Sequence, residues 1–294
     1  MQTVKSDTPK PIFSLSSLSI DHEIRSKNKH PVVFLHGNSQ NKTCGRGLLK
    51  FFADRDHTTL SYDMPGHGDS SYNDEEYCFT DLIDLNAQVL SHFNIDSPIL
   101  CGHSLGGMIQ AGYAAKYQIQ SASLVMCGSL DANPTYLGER YLGVDKAKLL
   151  ADALDDYMED GFKLFKRQKT YDYFENSQID DEIINIINRR YSNPTVSKTN
   201  LQTLASFDVR QKIIDLNIPV LTLHGEQEQV IHADLVRAMG KDYSNIRQKW
   251  YPDGGHLAFY QQTALTDQYL DQSYSFLLDE NTLNSKITVI PAVL

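Results

Sequence analysis

The chain has 294 residues, of which 41% are hydrophobic, and this is enough to bury one large core. Its formal net charge of -10 at pH 7 disfavours binding to nucleic acid or to an anionic membrane surface. No apolar run reaches the length of a transmembrane helix and residues 1–7 do not begin a signal peptide, so we expect a cytoplasmic protein.

Short apolar runs alternate with amphipathic segments along most of the chain. The runs at residues 12–15 and 18–20 predict an opening antiparallel pair of strands, and residues 80–93 and 105–116 are typical of helices. Further strands are predicted near residues 32, 58, 98, 121, 219 and 247. This alternation of strands and helices predicts a parallel sheet that is covered on both faces.

Two glycine-containing turns follow the early strands. Residues 36–39 (HGNS) come directly after the apolar run at 32–35. Residues 62–70 (YDMPGHGDS) follow the next strand, where the proline and glycines set the backbone of a turn.

The most informative motif is GHSLGG at residues 102–107, which follows the apolar run at 98–101. A strand and a helix are joined this tightly only if Ser104 takes a strained backbone conformation, and Gly102 and Gly106 then avoid a clash with neighbouring backbone. The serine would stand at the positive end of a helix dipole, which favours developing negative charge. The motif therefore indicates a nucleophile for attack on a carbonyl group.

The segment from residue 131 to about 207 interrupts the alternation. It contains amphipathic patterns, such as those at 146–166 and 179–190, without an intervening strand, and it is rich in aromatic residues. Aromatic side chains that face the sheet edge would wall a pocket for an acyl group, while the others pack the helices together. We therefore expect a helical insertion.

The last two predicted strands are each followed by a candidate site residue. The run at 219–223 leads into HGEQEQV, in which Glu228 stands three residues after the glycine. The run at 247–251 leads into PDGGH, which ends at His256. Beyond about residue 280, an apolar stretch at 287–291 would pack as an edge strand or exchange between subunits, and the oligomeric state stays open.

Taken together, the HGNS loop, the D-x-P-G-x-G turn, the GHSLGG elbow and the late histidine resemble the α/β-hydrolase superfamily from about residue 12 to about 280. The resemblance implies an α/β fold with a mostly parallel eight-stranded sheet, helices on both faces and an inserted helical cap. The core would then comprise residues 1–130 and 208–294, and the cap residues 131–207.

The resemblance also assigns roles to residues at the matching positions. Ser104 would be the nucleophile, His256 the base that takes its proton, and Glu228 the acid that orients the imidazole. The backbone N–H groups of Leu105 and Asn38 would form the oxyanion hole, and Asn38 could also turn its side-chain amide inward.

The identity of the acid has competing candidates. Most members of the superfamily have aspartate where this chain has Glu228, so the glutamate is a departure. Asp131 is the alternative acid, because some members place the acid after the strand that precedes the cap. Glu226 and Asp234 are weaker alternatives.

Neither a cofactor nor a metal is expected, because the chain has no H-E-x-x-H, paired C-x-x-C or carboxylate–histidine spacing. Four histidines beside glycines are expected to bind backbone groups instead: His36, His67, His103 and His224. Four cysteines without framework spacing are expected as free thiols: Cys44, Cys78, Cys101 and Cys127.

The sequence thus predicts a serine hydrolase that cleaves a small-to-medium apolar acyl ester or lactone through an acyl-enzyme. The HGN loop and the glutamate resemble the branch of the superfamily that opens N-acyl-homoserine lactones. The alternatives are a carbon–carbon bond hydrolase or a perhydrolase on the same fold, or a small-molecule receptor without catalysis.

Overall fold

The computed structural model describes residues 13–26, 29–72, 76–120, 122–133, 193–228 and 230–278. Within them, seven strands form one sheet in the order β1-β3-β2-β4-β5-β6-β7. The strands are β1 (Ile20–Glu23), β2 (Val32–Leu35), β3 (Thr59–Tyr62), β4 (Ile99–His103), β5 (Ser123–Cys127), β6 (Val220–Gly225) and β7 (Ile246–Tyr251). Strands β2 to β7 are parallel, and only β1 runs antiparallel to its neighbour β3.

Helices connect the strands and cover both faces of the sheet. They are α1 (Arg46–Ala53), α2 (Phe79–His92), α3 (Leu105–Tyr117), α4 (Pro194–Thr203), α5 (Arg210–Leu216), α6 (Ala233–Met239), α7 (Ala258–Gln261) and α8 (Thr263–Leu277). Short 3-10 helices occur at Leu15–Ser17, Lys42–Gly45 and Leu204–Ser206.

The hydrophobic core lies in two layers, one on each face of the sheet. Alternate residues of the central strands point to opposite faces, so that Val33 packs with α2 and α3 whereas Phe34 packs with α1 and α8. The central strands β2 to β6 are buried along their whole length, as expected of a parallel sheet between two layers of helices. The predicted α/β-hydrolase fold is confirmed.

The start of the sheet differs from the prediction. The expected strand at 12–15 does not form over its described residues, and the chain has a 3-10 turn at Leu15–Ser17 in its place. The Ser17 hydroxyl donates to the carbonyl of Ser14, and the hydroxyls of Ser14 and Ser16 bond to each other. Serine side chains compete in this way with strand pairing, so seven strands are described where eight were expected.

The two ends of the predicted insertion meet at one point. Ala132 forms an antiparallel bridge with Asp208, and the Val209 N–H donates to the carbonyl of Asp131. The chain therefore leaves the sheet and returns to it at the same place. Residues 134–192, with the expected cap helices and their aromatic side chains, and the apolar tail beyond residue 280 lie outside the described residues.

Candidate active site

Ser104 stands at the tight turn between β4 and α3, where it is partly exposed. Its backbone has φ 49° and ψ -120°, a combination that residues other than glycine rarely adopt. Such a conformation costs on the order of 1–3 kcal/mol and is held only when the surrounding structure fixes it. The Ser104 N–H donates to the Cys127 carbonyl (2.9 Å), and the Ser129 hydroxyl donates to the Ser104 carbonyl (2.7 Å).

Gly102 and Gly106 lie so close to neighbouring backbone atoms that neither position has room for a side chain. A Cβ at Gly102 would lie 2.4 Å from the backbone nitrogen of Gly107, and a Cβ at Gly106 would lie 2.3 Å from the Leu35 carbonyl oxygen. Backbone atoms cannot yield as a flexible side chain can. The turn therefore brings β4 and α3 together as the motif predicted.

His256 and Glu228 form a buried pair after strands β7 and β6. His256 Nδ1 is 2.7 Å from Glu228 Oε2, and the Glu228 side chain has no exposed surface. The other carboxylate oxygen, Oε1, accepts the backbone N–H groups of Val230 (2.7 Å) and Ile231 (3.2 Å). One carboxylate oxygen therefore binds the backbone and the other binds the imidazole.

The charges of this pair follow from its contacts. Burial favours the neutral acid, but His256 and the hydrogen bonds outweigh it, and the pKa of Glu228 lies below its ordinary value. Because the carboxylate accepts at Nδ1, the ring proton of neutral His256 resides there and the Nε2 lone pair is left available. This is the tautomer that a general base requires.

The loop that follows β5 lies against both the Ser104 backbone and the His256 ring. Cys127, whose carbonyl accepts from Ser104, precedes Gly128, and a Cβ at Gly128 would lie 3.2 Å from His256 Nδ1. Within the described part of the chain, the Ser104 hydroxyl forms no hydrogen bond with the imidazole. Catalytic hydrogen bonds are commonly long before substrate binds and tighten in the reacting complex.

The loop at residues 36–40 borders Ser104 on the other side. A Cβ at Gly37 would lie 3.2 Å from Ser104 Cβ. The Leu105 N–H is the first of α3 and has no acceptor within the helix, and the Asn38 N–H has no acceptor among the described residues. Two backbone donors are thus available on elements that flank the hydroxyl.

The Asn38 side chain does not supply a further donor in this arrangement. Its Nδ2 donates to the Ser197 carbonyl of α4 (3.0 Å), and its Oδ1 accepts from Asn200 Nδ2 (3.1 Å). The Asn38 side-chain amide therefore binds α4 and does not turn toward Ser104, as the sequence had left open.

Buried imidazoles hold the same loop from within. His36 Nε2 accepts the Met64 N–H (2.9 Å), and His67 Nε2 accepts the Ser39 N–H (3.3 Å). Burial is the main cause that lowers the pKa of His36 to about 4 and the pKa of His67 to about 3, so both rings are neutral acceptors near pH 7.

His103 and His224 also contact backbone, as predicted. His103 Nε2 is 2.9 Å from the His256 carbonyl oxygen, and His224 Nε2 is 2.9 Å from the Ile231 carbonyl oxygen. Gln40 was not identified from the sequence: its Oε1 accepts the Gly37 N–H (2.9 Å) and lies 2.8 Å from His103 Nδ1. No local signal marks this residue, because its ring partner is 63 positions away.

Asp131, the alternative acid, is engaged elsewhere. Its carboxylate accepts from Arg210 Nη1 (3.1 Å) and from the Tyr243 hydroxyl (2.6 Å), and both side chains of the ion pair are buried. Arg210 also pairs with Asp242 (3.1 Å). This cluster ties the loop after β5 to α5, whereas Glu228 is the carboxylate that contacts the imidazole.

The remaining candidates lie on the surface or in the core. Glu226 and Asp234 both pair with Arg237 on the surface.

All four cysteines are free thiols, three of them buried and Cys78 exposed. Over the described ranges, His, Cys, Asp and Glu side chains form no group of three that could bind a metal ion, and no helix is both long and apolar enough to span a membrane.

Comparison with known proteins identifies a family for the chain. The family model described as alpha/beta hydrolase fold matches residues 30–263. The AB hydrolase superfamily protein YisY of Bacillus subtilis is 22% identical over 242 residues, which cover 79% of this chain and 87% of that protein.

Solved structures share the fold at low identity. An esterase from Exiguobacterium antarcticum superimposes with a TM-score of 0.67 at 16% identity and covers 87% of this chain and 94% of its own. The enol-lactonase of Burkholderia xenovorans gives a TM-score of 0.64 at 14% identity over 88% of this chain and 96% of its own.

Proposed function

The chain belongs to the alpha/beta hydrolase fold family, and we propose that it is a serine hydrolase that cleaves a carboxylic ester or lactone through an acyl-enzyme. The single observation that carries this proposal is the buried Glu228–His256 pair, in which the carboxylate lies 2.7 Å from Nδ1, next to the loop whose Cys127 carbonyl accepts the Ser104 N–H. A carboxylate that orients the imidazole is what a general base in acyl transfer requires.

Acylation begins when the Ser104 hydroxyl attacks the carbonyl carbon while His256 Nε2 takes its proton. Glu228 stabilises the imidazolium and keeps the ring in the correct orientation. The N–H groups of Leu105 and Asn38 bind the oxyanion, and each such donor is worth on the order of 3–4 kcal/mol in the transition state.

Collapse of the tetrahedral intermediate breaks the ester bond. His256 donates its proton to the leaving alkoxide, and the acyl group stays on Ser104. Water then attacks the acyl carbon while His256 Nε2 takes its proton. Collapse of this second intermediate breaks the bond to Ser104 Oγ, which regains the proton from His256, and the acid is released. A lactone follows the same course and yields one product that carries both the acid and the alcohol.

The substrate is a small-to-medium apolar acyl ester or lactone, with N-acyl-homoserine lactones as the specific candidate. The HGN sequence at residues 36–38 and the glutamate at position 228 favour the lactone, and the aromatic composition of residues 134–192 favours an apolar acyl chain. The catalytic residues would be those of the core, and substrate choice would depend on the insertion.

A panel of p-nitrophenyl esters of graded chain length, with N-acyl-homoserine lactones beside them, tests the proposal. We expect turnover by the full-length protein and a loss in kcat of about 10³-fold or more in Ser104→Ala and His256→Ala. Normal turnover by Ser104→Ala would contradict the mechanism. Activity on a dienoate substrate, with none on esters or lactones, would instead support carbon–carbon bond hydrolysis.

A further inference from the structure

Helix α4, which follows the predicted cap, binds the loop that carries Asn38 through several side chains. Asn200 Nδ2 donates to Asn38 Oδ1 (3.1 Å), and Asn38 Nδ2 donates to the Ser197 carbonyl (3.0 Å). The hydroxyls of Ser39 and Ser197 lie 3.1 Å apart. The contacting residues are 158 or more positions apart in sequence, so this contact is a tertiary one.

The Asn200 amide has a second partner at its oxygen end. The Tyr77 hydroxyl donates to Asn200 Oδ1 (2.6 Å), while the nitrogen end donates to Asn38. Asn200 is 1% exposed, and a buried amide that loses its partner costs about 1–3 kcal/mol. The oxygen and the nitrogen of each side-chain amide, in Asn38 and in Asn200, therefore have partners only while the loop stays packed on α4.

We propose that Asn200 is a positioning residue for the oxyanion hole. It holds the Asn38 side chain, and through it the orientation of the peptide between Gly37 and Asn38, whose N–H is the proposed donor. This inference rests on the proposed function and deepens it, because it assigns the geometry of one oxyanion donor to a helix outside the catalytic residues.

The side chain and the backbone N–H of Asn38 share one Cα, so anchoring the amide at two points restricts rotation of the preceding peptide. Without the anchor, the N–H samples directions that do not meet the oxyanion. The interaction with the ground-state ester is weaker than that with the oxyanion, so the loss falls on kcat more than on KM.

The test is a double-mutant cycle with Asn38→Ala, Asn200→Ala and the double variant, each measured on a p-nitrophenyl ester. We expect each single change to lower kcat about tenfold with KM within about twofold of the wild type, and the double variant to be no slower than the slower single one. Affinity for a trifluoromethyl ketone, which forms a tetrahedral adduct with the serine, should fall by about the same factor as kcat.

Asn86→Ala is the matched control. Asn86 of α2 is another buried asparagine, its amide donates to Gln110 of α3 (3.0 Å), and among the described residues it has no hydrogen bond to residues 36–40. This variant should lose stability in urea unfolding while it keeps kcat. If Asn200→Ala does not fold, Asn200→Ser takes its place, since the shorter polar side chain removes the same contact.

Two results would overturn the inference. One is a kcat for Asn200→Ala or Asn200→Ser equal to that of the wild type, and the other is a double variant whose loss is the product of the two single losses. Failure of the proposed function looks different, because the Ser104→Ala protein would then turn over the ester as well as the wild type does.

Discussion

Replacing Glu228 by glutamine separates the proposed acid from every other carboxylate in the protein. The backbone N–H groups of Val230 and Ile231 both point at Oε1, so the glutamine carbonyl oxygen would remain there and its NH₂ would face His256 Nδ1. An NH₂ donor at that position requires a lone pair on Nδ1, which moves the ring proton to Nε2. The variant therefore holds the tautomer that cannot accept the proton of Ser104.

The expected cost follows from that change of tautomer. Serine hydrolases with the wrong tautomer lose about 10⁴-fold in kcat, and we expect a loss of about 10³- to 10⁴-fold here, equivalent to about 4–5.5 kcal/mol. The assay is p-nitrophenyl ester hydrolysis, normalised by the fraction of protein that a fluorophosphonate labels on long incubation. The labelling rate should fall together with kcat.

Asp131→Asn is the matched control, because it also neutralises a buried carboxylate after a sheet strand. It weakens the pair with Arg210, so it should cost about 3–5 kcal/mol of unfolding free energy, while folded protein keeps kcat within about threefold. The reasoning is refuted if Glu228→Gln stays within tenfold of the wild type, or if folded Asp131→Asn shows the larger loss in kcat.

Three further predictions concern the turn at Ser104 and the buried His36. Ser104→Gly should be at least about 1 kcal/mol more stable than Ser104→Ala in urea unfolding, because only glycine relieves the strain at φ 49°; equal stabilities would mean that no strain is stored there. Gly106→Ala should lose at least about 2 kcal/mol, since its Cβ would meet a carbonyl oxygen at 2.3 Å, and an unchanged unfolding midpoint would contradict the packing described. The pKa of His36 is lowered to about 4 in the folded protein, so on acidification the unfolded chain binds a proton here first. As the pH falls from 6.5 to 4, this residue should therefore lower the free energy of unfolding by up to about 1.4 kcal/mol per pH unit. His36→Gln should remove that part of the slope, and an identical slope in the two proteins would exclude the buried neutral ring.

The features that the sequence predicted well are local ones. The elbow around Ser104 requires small residues at fixed offsets, and the last strand, β7, followed by a loop with two glycines places His256 at one edge of the sheet. The first predicted strand failed for an equally local reason, since serine hydroxyls at 14, 16 and 17 bond within their own turn.

The residues that sequence reasoning missed depend on distant partners. Gln40 matters because its amide oxygen meets His103, and Asn200 matters because its amide meets Asn38, 162 positions away. The local sequence around a polar side chain does not indicate which distant residue it will bind in the folded protein. The choice between Glu228 and Asp131 was open for the same reason, because the arginine that occupies Asp131 is 79 positions away.

The most direct test of the account is mass spectrometry of the intact protein after reaction with a fluorophosphonate, followed by peptide mapping. The account predicts one adduct per chain, located on Ser104, with labelling slowed about 10³-fold or more in His256→Ala. An adduct on another residue, or hydrolysis of the ester by a protein whose Ser104 is blocked, would contradict it.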